Sequence, residues 1–231
     1  YSPPRAYTYA MHRVRMRRRG LRGGMRIAAT VASDFVSGGR NAKLRIAPSD
    51  TLVVSEYQID IAAEAFPDQR KIVMVQNPFS YVDAVSRSLD RGLDPARGVV
   101  ATLATSQICR EFAEVVGVGP VLYVPVAPEF ERYAFRAEKR RRIAIMPRKR
   151  PWDARVLTEA LRRRGRIADF EIVTIHGVGQ AEVARLMGDS LIFVSLMRSE
   201  GLGFPAMEAM ASGCITIGYT GVGAREFFDD T

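Results

Sequence analysis

The sequence has few of the residues that build metal centres, disulfides or membrane spans. Among 231 residues, two are cysteine (Cys109 and Cys214), two are histidine (His12 and His176), and no C-x-x-C pair occurs. Two cysteines so far apart favour reduced thiols in a cytoplasmic protein. No apolar run approaches the roughly 18 residues of a transmembrane helix, and no signal-peptide core opens the chain. A D-x-D triplet is also missing, which argues against a diphosphate held through a metal ion.

Positive charge is concentrated rather than spread along the chain. The net charge is +9, and residues 1–24 contribute seven arginines and no acid, so the remainder carries only +2. A second basic cluster lies at residues 136–150. The first cluster has two interpretations: a segment that binds nucleic acid or an anionic membrane surface, and a solvated, disordered tail.

Apolar runs alternate with helical patterns from about residue 50 onwards. Short β-branched runs separated by helices indicate βαβ units and parallel sheets, hence an α/β fold. Strands are predicted at 51–57, 71–77, 99–106, 121–126, 143–146, 170–177, 191–196 and 214–219, and helices at 108–117, 152–165, 180–188 and 204–213.

The alternation breaks at residues 127–142, which are charged and poor in strand-forming residues. We therefore predict a basic segment 1–24, a first α/β domain 25–130, a linker 131–142 and a second α/β domain 143–231. Both domains are shorter than doubly wound domains usually are, so we expect both to be incomplete.

The stretch E200GLGFPAME208 combines features of an anion site. Glu200 follows a buried strand, where parallel sheets place their ligands. Gly201 and Gly203 allow close backbone approach, and a helix starting near Phe204 directs N–H groups towards a phosphate. Glu208, expected within about the first turn, suits the paired hydroxyls of a ribose. A sugar nucleotide needs this combination.

With these residues in place, the chain resembles the family-4 type of retaining glycosyltransferases with the GT-B fold. E200GLGFPAME208 is similar to the E-x7-E motif of that family. The segments 143–154 and 218–228, with V75QNPF79, resemble a rhamnosyltransferase-like subgroup of polysaccharide assembly. The resemblance implies two Rossmann-like domains and transfer of a sugar from a nucleoside diphosphate to a glycan or lipid-linked acceptor, with no metal or other cofactor.

The resemblance also implies residue roles. Glu200 would contact the donor sugar as the catalytic residue, and Glu208 would hold the ribose. Arg148 and Lys149 would bind the diphosphate. The family separates its basic pair by several residues, whereas here the two are adjacent and Arg150 comes next, so the choice among these three cations stays open. The other residues predicted to bind the donor are Gly201, Leu202, Gly203, Phe204, His176 and Gly177, and those predicted on the acceptor side are Gln76, Asn77 and Ser106.

Three interpretations therefore stand. The first is a hexosyltransferase-type, metal-independent enzyme in the cytoplasm, with peripheral contact to the inner membrane surface compatible with the basic segments. The second is a sugar-nucleotide-binding GT-B protein without turnover. The third is a nucleic-acid or membrane-surface module driven by residues 11–22, which leaves the paired glutamates unexplained.

Overall fold

A computed structural model describes residues 27–28, 46–165 and 167–228. The strands are β1 Ile27–Ala28, β2 Thr51–Ser55, β3 Arg70–Val75, β4 Val99–Ala104, β5 Val121–Tyr123, β6 Arg140–Ile145, β7 Glu171–Thr174, β8 Ser190–Glu200 and β9 Ile215–Val222. The helices are α1 Ile59–Ala65, α2 Pro78–Asp90, α3 Gln107–Val116, α4 Pro151–Arg164, α5 Gln180–Asp189 and α6 Phe204–Ala211. None of the described helices has the length and apolar character needed to cross a membrane.

The chain divides into two compact units, each built on one parallel sheet. The first contains the described residues up to Ala104 together with Arg110–Tyr123; the second contains Thr105–Cys109 and the described residues from Val124 onwards. The predicted α/β class with two parallel sheets is thereby confirmed. The predicted boundaries at 25–130, 131–142 and 143–231 stay predictions, and the basic segment 1–24 lies outside the described residues.

The first sheet has the strand order β1-β2-β3-β4-β5, and every neighbouring pair is parallel. Alternate residues of β3, Val73 and Val75, are buried, and Tyr81 of α2 is fully buried in the same unit. At the start of β3, Lys71 is only 2% exposed, and its ammonium donates to three backbone carbonyls, those of Pro67, Gln69 and Arg97. All three donors of the lysine are therefore used inside the fold.

The second sheet has the strand order β7-β6-β8-β9, again with every neighbouring pair parallel. The chain leaves β6 for β7 on one side and then returns to β8 on the other side of β6. This reversal is a topological switch point, and the crevice at the carboxyl ends of such strands is where open α/β sheets bind ligands. Ile143, Ala144 and Ile145 of the central strand β6 are buried, as expected for a strand covered on both faces.

Helices α1 and α2 are not among those predicted, and several element boundaries differ from the predicted ones. Strand β6 starts at Arg140, inside the predicted linker, and residues 124–139 contain neither helix nor strand. Strand β8 continues to Glu200 because β9 keeps pairing with it, through Leu196 with Tyr219 and, after a shift in register, through Glu200 with Val222. Glu200 is therefore the last residue of a strand, whereas the apolar run alone predicted that it lies in the loop after one.

Candidate functional site

The carboxyl ends of the four strands in the second sheet bring the predicted donor-site residues to one edge. Strand β6 is followed by Arg148 and Lys149, β7 by His176 and Gly177, and β8 ends at Glu200. The backbone N–H of Ile175 donates to the carbonyl of Ile145, which ties the ends of β7 and β6 together at 2.9 Å. Sequence positions 30 residues apart therefore meet at this edge of the sheet.

An ion pair joins the two central strands at this edge. The ammonium Nζ of Lys149 lies 2.8 Å from Oε1 of Glu200, with side chains 41% and 24% exposed. An ion pair this open to solvent contributes only about 0.2–1 kcal/mol, because water screens both charges. The pair therefore adds little to stability, and a charged ligand can separate the two groups at small cost.

The other two cations after β6 have different surroundings. The guanidinium of Arg150 lies 4.5 Å from the centre of the Tyr219 ring on β9 and pairs with Asp153. The exposed side chain of Arg148 makes no hydrogen bond or ion pair with any other described residue. Arg150 is thus engaged twice, and Arg148 is the cation of the three that keeps its donors available within the described part of the chain.

The turn between β8 and α6 is held by tight backbone packing. Gly203, at φ 91°, precedes α6 in the left-handed region that favours glycine, and an added Cβ would lie 2.6 Å from the sulfur of Met197. Gly223, beyond β9, packs directly on this turn: an added Cβ would lie 2.3 Å from the carbonyl carbon of Gly201. Leu202 between them is buried, whereas Phe204 is exposed. The two glycines therefore fix the turn by close approach.

Two backbone positions beside this turn are strained. Ser199 has φ 52° and Val222 has φ 79°, both in the region that residues other than glycine seldom adopt. Such strain costs on the order of 1–3 kcal/mol per residue and tends to collect at functional sites. Here it adjoins Glu200, which pairs with Val222.

The start of α6 is a weaker anion cradle than the sequence predicts. Pro205 has no N–H, and the N–H groups of Ala206 and Met207 both donate to the carbonyl of Gly203, at 3.1 and 3.4 Å. A phosphate would therefore find fewer free donors than at a regular helix start. The expected tight packing of the helix is present, because Ala206 and Ala209 are fully buried.

Glu208 is the fifth residue of α6, hence in the second turn rather than the first. Its half-buried carboxylate lies near the hydroxyl of Tyr133 and the guanidinium of Arg132, and both act on its charge. Burial raises the pKa of Glu208, while the Tyr133 hydroxyl and Arg132 oppose that rise. The pKa of Tyr133 rises to about 12, chiefly through burial and then through the neighbouring Glu208. Sequence reasoning missed Tyr133 because it lies in a segment without periodicity.

Of the residues predicted on the acceptor side, Gln76 and Asn77 belong to the first unit and Ser106 to the second. Asn77 caps α2: its side-chain oxygen accepts from the N–H groups of Phe79 and Ser80 at 3.0 and 3.1 Å. Gln76 is exposed at the end of β3. Ser106, within the second unit, donates its hydroxyl to the carbonyl of Gly201 at 2.5 Å. A structural role is thus visible for Asn77 and Ser106, and their acceptor role stays a prediction.

The exposed imidazole of His176 stands beside Gly177, which adopts φ 68°. No group of three or more His, Cys, Asp or Glu side chains among residues 46–165 and 167–228 is arranged to hold a metal ion. The roles predicted for His176 and Gly177 in donor binding stay predictions.

Comparison with known proteins finds similarity to sugar-transferring enzymes. Residues 170–231 match the family model described as Glycosyl transferases group 1. The alpha-1,6-glucosyltransferase of Actinobacillus pleuropneumoniae serotype 7 (strain AP76) is 27% identical, over 83% of this chain and 60% of that relative. The chain therefore spans less than two thirds of the length of this relative.

Solved structures share the fold at low sequence identity. A variant of S. aureus TarM, in complex with fondaparinux, alpha-GlcNAc-glycerol and UDP, superposes with a TM-score of 0.50 at 10% identity, over 80% of this chain and 44% of that one. A UDP-forming trehalose-phosphate synthase from Burkholderia xenovorans gives a TM-score of 0.47, also at 10% identity, over 78% and 61% of the two chains, a likeness too low to carry an argument. The fold class is that of GT-B glycosyltransferases. The family-4 retaining subtype and the rhamnosyltransferase-like subgroup stay predictions.

Proposed function

We propose that the chain transfers a sugar from a nucleoside diphosphate to a glycan or lipid-linked acceptor, with retention at the anomeric carbon. The observation that carries this proposal is the ion pair of Lys149 and Glu200, 2.8 Å apart at the switch point of the second sheet. The match of residues 170–231 to Glycosyl transferases group 1 supports it. So does the name of the relative, an alpha-1,6-glucosyltransferase.

The cations after β6 bind the diphosphate in this proposal. Arg148 makes the first contact because it has no competing carboxylate among the described residues, and a guanidinium binds phosphate oxygens in pairs. Lys149 follows as a point charge. Both stabilise the negative charge that develops on the leaving diphosphate, which is where electrostatic stabilisation accelerates such a reaction. A metal ion is then not required.

Exchange of partners at Lys149 couples donor binding to Glu200. When the ammonium moves from Glu200 to a phosphate oxygen, the carboxylate is free to accept hydrogen bonds from the sugar hydroxyls. The weakness of an exposed pair makes this exchange inexpensive. Glu208 holds the ribose from α6, and His176 and Gly177 line the base side.

The test is transfer and hydrolysis of UDP-, GDP- and dTDP-sugars, with and without EDTA, combined with thermal shifts for the nucleotides. A nucleotide that binds the folded chain raises its melting temperature by mass action. We expect one nucleotide to give an EDTA-insensitive shift and its sugar to be turned over. Glu200→Gln should abolish turnover while leaving the melting temperature unchanged.

The matched control is Glu159→Gln, because Glu159 is an exposed glutamate on α4 that pairs with Arg163. It should keep wild-type turnover. Full activity of Glu200→Gln would overturn the catalytic assignment. Binding of a sugar nucleotide without turnover would favour the non-catalytic alternative, and salt-sensitive binding of polyanions alone would favour the basic module.

The finer features of the proposal follow from the resemblance rather than from the site. They are transfer of a hexose, a role in polysaccharide biosynthesis and a cytoplasmic location with peripheral contact to the inner membrane surface. The seven arginines among residues 1–24 supply the charge for that contact. Sedimentation with anionic vesicles, compared with the chain lacking residues 1–24, tests it, and equal sedimentation of the two chains would remove its support.

A further inference from the structure

The segment Thr105–Cys109, where α3 begins, belongs to the second unit and brings a buried hydroxyl to the end of β8. Ser106 is fully buried, and its hydroxyl donates to the backbone carbonyl of Gly201 at 2.5 Å, across 95 positions of sequence. The same hydroxyl oxygen accepts from the backbone N–H of Cys109 at 3.2 Å. Ser106 therefore acts both as an acceptor that caps α3 and as a donor to the residue that follows Glu200.

A second contact fastens the same segment beside the turn. The backbone N–H of Gln107 donates to the carboxylate of Glu226, in the 3₁₀ turn that follows β9. Gly223, at the start of that 3₁₀ turn, packs directly on the backbone of the buried Gly201. Two separate contacts therefore limit the movement of Gly201: the hydrogen bond from Ser106 and the close approach of Gly223.

The restraint on Gly201 adjoins strained backbone. Ser199 and Val222 have positive φ angles of 52° and 79°, which residues other than glycine seldom adopt. Such strain persists only where the surrounding structure over-determines the conformation. Glu200 lies between the strained Ser199 and the restrained Gly201, so the direction in which its side chain leaves the backbone depends on both. The hydrogen bond from Ser106 is one of the contacts that set this direction.

We propose that Ser106 is a positioning residue for Glu200: its hydrogen bond to the carbonyl of Gly201 holds the turn so that the Glu200 carboxylate faces the donor sugar. This inference rests on the proposed function, from which it takes the role of Glu200. Ser106 acts through the backbone of Gly201 and contacts neither the sugar nor the diphosphate. The assignment also explains why the hydroxyl donates to this turn, since capping α3 requires it only to accept.

The test separates the sugar from the diphosphate. The probes are UDP, GDP and dTDP and their glucose conjugates, with dissociation constants from calorimetry and kcat/KM for transfer and hydrolysis, all on the full chain. We expect Ser106→Ala to lower kcat/KM for the conjugate about tenfold, the equivalent of one hydrogen bond. The affinity for the free diphosphate should stay at the wild-type value, because removal of a hydroxyl pushes nothing towards Arg148 and Lys149.

The matched control is Ser190→Ala, at the opposite end of β8. Ser190 is also fully buried, and its hydroxyl donates to the carbonyl of Leu186 at 2.7 Å. This variant loses a hydrogen bond of the same kind from the same unit and should keep wild-type kcat/KM. Amide hydrogen exchange supplies a readout without ligand: residues 201–204 should exchange faster in Ser106→Ala than in Ser190→Ala or in the wild type.

The outcomes distinguish this inference from the proposed function. If the wild type turns over a conjugate and Ser106→Ala does so equally well, the positioning role is overturned and the proposed function survives. Equal losses in Ser106→Ala and Ser190→Ala, or equal weakening of diphosphate and conjugate, would also overturn it, since both indicate a general structural defect. Unchanged exchange at residues 201–204 would refute the restraint itself. If the wild type binds no nucleoside diphosphate, the proposed function is overturned, and the role of Ser106 in it falls as well.

Discussion

Replacement of Gly223 by alanine tests whether the turn after Glu200 is fixed by backbone contact. An added Cβ would lie 2.3 Å from the carbonyl carbon of Gly201, 2.4 Å from its oxygen and 2.6 Å from the nitrogen of Leu202. The first distance is 1.1 Å less than the 3.4 Å at which ordinary contact begins. All three atoms belong to the backbone, so no side-chain rotation relieves the clash.

The turn must therefore move by about 1 Å, and small-to-large changes in packed sites typically cost about 1–3 kcal/mol. The movement displaces the residues directly after Glu200, so its pairing with Lys149 changes as well. We expect Gly223→Ala to lower the free energy of unfolding by about 2 kcal/mol in urea titrations. We also expect nucleotide affinity to fall in calorimetry, because the turn borders the proposed donor site.

Gly179→Ser provides the matched control. Gly179 precedes α5 in an extended conformation, and an added Cβ meets nothing within 4 Å. Serine is also a preferred residue at a helix start, so this variant should be neutral or slightly stabilising. If Gly223→Ala were as stable as Gly179→Ser and bound nucleotide as wild type does, the reasoning from backbone contact would be refuted.

Three further predictions concern buried or capping polar groups. Lys71→Met should lower the free energy of unfolding by about 3 kcal/mol or more in urea titrations, because three carbonyls lose their donor. The control is Arg70→Met, at the exposed neighbouring position, which should cost little. Equal costs for the two variants would contradict the role of the Lys71 hydrogen bonds. Asn77→Ala should lower the free energy of unfolding by about 1 kcal/mol in the same assay, because it removes the cap of α2, whereas Asn77→Asp should keep wild-type stability. An Asn77→Ala variant as stable as the wild type would argue against the cap. Because burial raises the pKa of Glu208 above 4.5, this carboxyl favours the folded state below that pH and loses its contribution as the pH rises through the folded pKa. Glu208→Gln should therefore become more stable relative to wild type between pH 4 and 7, and a constant difference in melting temperature would exclude a raised pKa.

The fold was accessible from the sequence because its strands are short apolar runs with clear boundaries. The predicted strand 71–77 and helix 152–165 correspond to Arg70–Val75 and Pro151–Arg164 within two residues. Boundaries failed where tertiary pairing, rather than local pattern, decides them. Strand β8 reaches Glu200 only because β9 runs beside it, and β6 starts at Arg140 in a stretch whose arginines hide its strand character.

The candidate site divides in the same way between local and distant information. Glu200, Lys149 and Gly203 are found from the sequence because each lies at or just after the end of a strand at the carboxyl edge, a place that the order of elements defines. Their pairing, and the engagement of Arg150 with Tyr219, depend on strand order, which the apolar runs do not encode.

The position of Tyr133 could not be predicted from the local sequence. Its segment has no period, no cap and no glycine turn, so nothing local distinguishes it from a linker. Glu208, whose charge acts on it, is 75 positions away. Tyr133 comes near it because the ring packs in one core with Met187 of α5 and with Ala209, the neighbour of Glu208 on α6. A motif search that stops at E200GLGFPAME208 therefore misses a residue that tertiary packing places beside the second carboxylate of the motif.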